Sequence, residues 1–249
     1  MVPAKNEAAN LVHVLPRLPE VYEVIVVDGG STDATIDVAR ELIPDVRILH
    51  QPRRGKGDAL TCGFRSARGD IIVMLDADGS ARPEEISRFV DALLSGADFA
   101  KGSRFLDGGG SADITRLRSL GNKVLTGLVN RLFGSRYSDL CYGYNAFWSW
   151  ALPELALDAD GFEIETQLNI RAVKAGLAVV EVPSYEDERI HGLSNLNAGR
   201  DGMRVLRTIL HERLERRSRR KARAPREALE ELAGAPVAGT PAGPSLTEP

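Results

Sequence analysis

The chain has 249 residues, 43% hydrophobic and 27% charged, with a net charge of −3, a balance ordinary for a soluble globular protein able to bury one large core. No stretch reaches the roughly eighteen uninterrupted apolar residues that cross a bilayer, and Met1 is followed by Pro3, Lys5, Asn6 and Glu7 rather than by a signal peptide, so the chain is expected in the cytoplasm. Its two cysteines, Cys62 and Cys141, lack metal-ligand spacing and read as buried thiols of a reducing compartment.

Short apolar runs alternate with amphipathic stretches through the first hundred residues, the βαβ rhythm of a parallel sheet. Strands are expected at Glu23–Asp28, Val46–His50, Asp70–Asp76 and Asp98–Lys101, with helices near Ala8–Leu18, Asp33–Leu42, Lys56–Ala67 and Pro83–Leu94. Ser31 or Thr32 before Asp33, and Pro83 before Glu84 and Glu85, read as helix starts. Asp70–Asp76 is apolar on both faces, which places it centrally. Gly108, Gly109 and Gly110 then mark a flexible loop. Leu117–Phe133 reads as a helix, followed by the aromatic-rich stretch Tyr142–Trp150. A helix Glu163–Ala175 and a strand Ala178–Pro183 lead into a polar loop, Tyr185–Asn197. From Arg200 a helix is expected with Met203, Leu206, Leu210 and Leu214 as its apolar stripe. Beyond Arg223 the Ala-, Pro- and Gly-rich chain is expected to be disordered. The expected organisation is thus a catalytic domain over 1–199, a basic amphipathic helix over 200–223 and a tail over 224–249.

The sharpest chemical feature is Asp76-Ala77-Asp78, two carboxylates at the C-terminal end of a central parallel strand, the edge at which open parallel sheets bind ligands. Such hard oxygen ligands suit Mg²⁺ or Mn²⁺, which keep waters and accept phosphate oxygens. Asp28 ends a second strand before Gly29, Gly30 and the capping residues Ser31, Thr32 and Asp33; its place at the same edge fits a ribose or base contact. Pro3-Ala4-Lys5-Asn6-Glu7 would stand at a third such edge. Arg53-Arg54-Gly55-Lys56-Gly57 places cations and glycines near a helix N-terminus able to meet phosphate, without the Ser or Thr of a Walker loop.

Taken together, these motifs resemble the family-2 glycosyltransferases, in their dolichol-phosphate mannosyltransferase-like branch, over about the first 200 residues. Further matches are Ser80 and Pro83, Gly102-Ser103-Arg104, Ser138-Asp139 leading to Gly143-Tyr144, Gly161-Phe162-Glu163, Glu181-Val182-Pro183, and Arg189 with Gly192 and Ser194. The resemblance implies an α/β GT-A fold with a mostly parallel, Rossmann-like central sheet, and a GDP- or UDP-sugar donor. It implies a Mg²⁺ or Mn²⁺ ion on Asp76 and Asp78, and donor contacts from Pro3, Lys5, Asn6, Glu7, Asp28, Lys56, Asp76 and Ala77. Arg104 and Arg189 are the expected cations beside the metal, acting with Asp78 in catalysis. Ser80 stands where relatives often carry a further metal-shell residue. The acceptor phosphate is expected on Arg116, Arg118 and Ser194; Asn195 replaces the lysine usual after that serine, which leaves one phosphate contact unaccounted for. His191 reads as a surface histidine, and Glu163 and Glu165 as complements to a helix dipole.

A hydroxyl acceptor would need a neighbouring base, whereas a phosphate monoester, with a second pKa of about 6, is already largely dianionic at neutral pH. The favoured reading is sugar transfer to a polyprenyl phosphate at the inner membrane face; the alternatives are a soluble enzyme acting on a hydroxyl and a sugar-nucleotide-binding regulator. Residues 200–226 hold eleven Lys/Arg against three Asp/Glu, so the rest of the chain carries −11. Arg216, Arg217, Arg219, Arg220 and Lys221 in that segment are expected to meet an anionic membrane surface rather than nucleic acid. Finally, Met1 and Val2 alone precede Pro3, too few for a usual strand, so the sheet is expected to lack an interior strand and the natural chain to carry further apolar residues upstream.

Overall fold

The computed structural model of the protein describes residues 1–192 and 198–215. The tail expected at 224–249, the basic run Arg216–Lys221 and Ser194 lie outside the described residues.

The chain alternates strand and helix: β1 (Val2–Ala4), α1 (Ala8–Val14), β2 (Ile25–Asp28), α2 (Thr35–Leu42), β3 (Arg47–His50), α3 (Lys56–Ser66), β4 (Ile71–Met74), α4 (Ile86–Leu94) and β5 (Phe99–Ser103). The β-branched run of β2 is buried throughout, as a strand covered on both faces must be. Helix α2 begins two residues later than expected. Its N-cap is Ala34; Asp33, one residue earlier, accepts from the Thr35 amide at 3.0 Å, while Ser31 Oγ is drawn away to the Asn6 backbone amide at 2.9 Å. Pro83 opens the short 3₁₀ turn Pro83–Glu85 that leads into α4, where its missing N–H costs nothing.

The second half runs β6 (Gly110–Ser111), α5 (Arg116–Phe133), β7 (Asn145–Trp148), α6 (Leu152–Leu155), α7 (Ile164–Ala175), β8 (Val179–Pro183), β9 (Tyr185–Glu186) and α8 (Ala198–Leu214). The expectation of a flexible glycine loop is corrected here. The glycine loop is tied down, because Gly110–Ser111 pairs in parallel with Tyr185–Glu186. The aromatic stretch supplies β7, which inserts antiparallel between β4 and β5. Strands β1, β2 and β3 form an all-parallel sheet, and β4, β7, β5 and β8, in that order, a mixed one in which β5 and β8 are the parallel pair. Phe64, Met74, Phe99, Phe147 and Leu168 pack the core on one side of it; Leu75, Phe89, Ala100 and Tyr144 belong to a second cluster.

Helix α8 packs differently from its expected stripe. Met203, Leu210 and Leu214 are exposed, while Val205, Ile209 and Glu212 are buried. Val205 and Ile209 meet Val129 of α5 and Ile170 of α7.

The segment before Pro3 also departs from expectation. Val2–Ala4 pairs with Val26–Asp28 despite its length. Met1 then joins this sheet to β4, its ammonium donating to Val73 O at 2.8 Å and its carbonyl accepting from Leu75 N at 3.1 Å. Beside Met1 lies an apolar cleft lined by Val24, Ile25, Ile71, Ile72 and Val73. Burial lowers the Met1 ammonium from 8.0 to about 6, against the attraction of Glu23. Between those two values the unfolded chain binds the proton better, so stability rises as pH goes from about 6 to about 8, by at most roughly 3 kcal/mol. A short Val/Ile-rich segment placed before Met1 replaces the ammonium by an amide and can enter the cleft. Thermal melts of the two chains should show a higher melting temperature for the extended one and a pH dependence over this window only without the extension. Identical melts at both pH values would refute this.

Candidate active site

The parallel strands β1, β2 and β4 end at one edge. Past β4 the backbone runs through buried Leu75 and Ala77, which alternate with Asp76 and Asp78 and so turn both carboxylates to the other side. Asp76 is held by Lys56, the first residue of α3, with Nζ 2.7 Å from its Oδ1. The same ammonium lies 2.6 Å from Oε1 of Glu165, at the start of α7. Asp78 accepts from Ser80 N at 3.0 Å and Ser80 Oγ at 2.8 Å. Its other oxygen faces Arg189 Nη1 at 3.2 Å, and Arg189 also pairs with Glu7. Glu165, which from sequence reads as a complement to the helix dipole, stands in this cluster.

Burial alone would lower Lys56, but the Asp76 and Glu165 carboxylates outweigh it and hold the ammonium above its ordinary range. Burial raises Glu165, with Asp76 adding to the effect and Lys56 opposing it. Gly143 is the floor of this cluster. A Cβ there would lie 2.5 Å from Glu165 Oε1, 3.0 Å from Lys56 Nζ and 3.1 Å from Asp76 Oδ2.

The four carboxylates Glu7, Asp76, Asp78 and Glu165 against the two cations Lys56 and Arg189 leave a formal charge of −2 at a single edge. Asp76 and Asp78 keep 34% and 22% of their side-chain surface exposed. Such a donor set fits a divalent hard cation, and the two cationic side chains already stand where positive charge is called for.

Segment 187–192 closes over this edge. Ile190 N donates to Asp78 O at 3.2 Å and Asp187 N to Ser80 O at 2.8 Å. Arg82 clasps Asp187 through two bonds of 2.6 and 2.7 Å. His191 is exposed, and its backbone is fastened to Asn10 of α1 at both N–H and C=O.

Several expected ligands prove to be engaged elsewhere. Arg104 does not stand free beside the carboxylates. It is buried, binding Asp139 at 2.7 and 3.0 Å and Glu186 at 3.0 and 3.2 Å. Burial works against its charge, yet these carboxylates raise its pKa, so it acts as an internal tie between β5, the 139 region and β9. Asp28 has a structural duty that its position at the edge concealed: it accepts from Gly30 N at 3.1 Å, Ser31 N at 3.0 Å and His50 Nδ1 at 3.3 Å. Desolvation opposes its ionisation, but these bonds win and hold it below the usual carboxylate range. Asn6 accepts from Thr32 N at 2.8 Å, tying the first turn to the second. The N-terminus of α3 does not await phosphate, because Asp160 O accepts from Gly57 N at 2.8 Å. That approach explains the glycines: a Cβ at Gly57 would lie 2.1 Å from Ala159 O.

Pro3 is half-buried in β1 and Lys5 is exposed beside it. Arg116 and Arg118 open α5, with Arg118 bound to Asp113 at 2.8 Å and Arg116 exposed.

A fold of this kind, with an acidic pair on the central strand edge, is matched over residues 1–150 by the model of glycosyl transferase family 2. The chain belongs to that family. It is accordingly a glycosyltransferase with a GT-A-like fold. It is 36% identical over 212 residues to polyprenol monophosphomannose synthase of Mycolicibacterium smegmatis, covering 79% of this chain and 80% of the relative. Undecaprenyl-phosphate mannosyltransferase of Micrococcus luteus is 32% identical, covering 83% of this chain and 90% of its own length. Among solved structures, glucosyl-3-phosphoglycerate synthase from Mycobacterium tuberculosis in complex with Mg²⁺ and uridine diphosphate superposes with a TM-score of 0.70. It is 25% identical, covering 87% of this chain and 79% of that one.

Proposed function

We propose that the protein transfers a sugar from a nucleoside-diphosphate donor to a polyprenyl phosphate, with Mg²⁺ or Mn²⁺ held by Asp76 and Asp78. The observation that carries this reading is the −2 cluster at the end of β4, in which each of those carboxylates is met by a cationic side chain. A bound divalent ion neutralises charge on the departing nucleoside diphosphate. Lys56 and Arg189 are the cations of this chain poised to meet the diphosphate oxygens, a contribution that preorganised charge makes large. Ser80 keeps Asp78 oriented, and Glu165 keeps Lys56 charged. Pro3, Lys5 and Glu7 border the donor side of the same edge. Arg104 orders the segments around the acceptor side rather than touching the donor.

The acceptor assignment is supported by the two relatives, which are named for polyprenyl-phosphate chemistry. Arg116 and Arg118 are the cations placed for its phosphate, and a dianionic phosphate attacks without a base. Residues 1–199 form the catalytic unit in this reading, with α8 the start of a basic appendage. Among the described residues no helix is long and apolar enough to cross a membrane.

Donor consumption should be assayed across GDP- and UDP-sugars, with and without a polyprenyl phosphate and with excess EDTA. Glycolipid should form only with the lipid phosphate present and should be lost on chelation. Full activity in EDTA, or transfer to a sugar hydroxyl in place of the lipid phosphate, overturns the proposal.

A further inference from the structure

Helix α5 carries a face that nothing among the described residues covers. Its inner side is buried through Asn122, Thr126 and Val129, with Val129 seated among Leu140, Ile170, Val205 and Ile209. Leu117, Leu120 and Val124, at three- and four-residue steps, point the other way, with 74%, 61% and 64% of their surface exposed. At roughly 100° per residue they form one stripe opposite the buried side. Gly121 and Gly127 widen it, since a side chain at either would meet open space. Single exposed leucines are ordinary on a soluble protein, but a contiguous stripe marks a surface that binds something.

The charge around the stripe identifies the occupant. Residues 116–133 contain Arg116, Arg118, Lys123 and Arg131 and no Asp or Glu. Arg116, Lys123 and Arg131 are exposed; Arg116 and Lys123 lie along one flank of the stripe, where long cationic side chains can reach upward past apolar neighbours. An amphipathic helix with an apolar face and only cations beside it suits an anionic bilayer interface. A second copy of the chain fits poorly, because pairing the stripes would bring like charges together.

We infer that the outer face of α5 is the surface by which the protein lies on an anionic lipid bilayer, with Leu117, Leu120 and Val124 entering the acyl boundary. The placement rests on the proposed acceptor for its purpose: Arg116 and Arg118 begin the same helix, so docking brings them to headgroup depth, where the phosphate of a lipid acceptor resides. The inferred contact is therefore on α5 itself, distinct from the basic segment after α8.

The test uses the full chain and its Leu117→Ser/Leu120→Ser/Val124→Ser variant. All three positions are exposed, and equal thermal melts verify that the fold is kept. Sedimentation with phosphatidylcholine vesicles containing phosphatidylglycerol should show at least a tenfold loss of binding in the variant. Transfer to a short, water-soluble prenyl phosphate should stay within twofold of the wild type, while transfer to a long-chain acceptor in vesicles falls about tenfold. Lys123→Glu/Arg131→Glu should weaken vesicle binding and flatten its salt dependence, because fewer cations meet the anionic surface. Equal vesicle binding by variant and wild type overturns the inference, as does a wild-type dimer that the triple substitution dissolves. Loss of vesicle binding with no transfer to either acceptor would uphold the docking face and refute the acceptor assignment, so the two failures are separable.

Discussion

Asp76→Asn is expected to lower transfer by on the order of 10³-fold or more while leaving the melting temperature equal to or above that of the wild type. The two effects separate because of how charge is arranged. Lys56 bridges Asp76 and Glu165, so removing the charge of Asp76 leaves a balanced Lys56–Glu165 pair rather than an orphaned cation. Asp78→Asn behaves likewise. Arg189 retains Glu7, and the amide oxygen can still accept from Ser80, which now bonds the carboxylate through N and Oγ. The cluster concentrates negative charge for a ligand at some expense to the unliganded fold, the usual trade at functional sites. Transfer assays and thermal melts on the two variants check this. Activity within tenfold of the wild type would refute the metal role. Lost activity with a melting temperature lower by several degrees would show that the carboxylates hold the fold instead.

What the sequence disclosed and what it withheld follow from the range of the interactions involved. The β-branched run of β2 and the Asp76-Ala77-Asp78 step were legible because strand, turn and carboxylate are neighbours in the chain. Strand β7 was not: Asn145-Ala146-Phe147-Trp148 has no alternation of polar and apolar residues, since both its faces and both its edges are covered. Arg104 stood at a strand end and looked like a ligand, because its partners Asp139 and Glu186 come 35 and 82 residues later. Asp28 deceived in the opposite way. Its partners Gly30 and Ser31 were in plain view, and its place at the ligand-binding edge drew attention from them, although its side chain is buried. For α8 the period was right and the face wrong. Apolar counting selects Met203, Leu206, Leu210 and Leu214, whereas the buried side includes Asp201 and Glu212, which only a paired cation can bring inside.

That buried side carries the second large effect. Arg171 is 1% exposed and the Glu212 side chain 0%, with Nε 2.6 Å from Oε1. Lys174 Nζ reaches the other oxygen at 2.6 Å and the Glu212 carbonyl at 2.9 Å. Replacing Glu212 by Ala removes the only buried carboxylate of the group and leaves Arg171 with Asp158 at 2.9 Å and Glu215 at 3.8 Å. The expected loss is about 3 kcal/mol, the lower end for a broken buried pair, against a total margin of roughly 5–15 kcal/mol. A melting temperature lower by about 10 °C is expected for a chain of this size. High salt should not restore it, because the pair is shielded from counterions. The paired substitution Arg171→Met/Glu212→Leu should recover most of the loss by exchanging the ions for apolar packing. The consequence extends to the site through α7, which bears Arg171 and Lys174 toward one end and Glu165 at the other. Releasing α8 loosens the helix that presents Glu165 to Lys56, so Glu212→Ala should also reduce transfer below its melting point, and the paired variant should restore both together. If Glu212→Ala melts within about 2 °C of the wild type, α8 is not fastened to α7 by this ion pair, and its hold on the catalytic unit comes from the packing of Val205 and Ile209 and the bonds of Lys174 to backbone carbonyls.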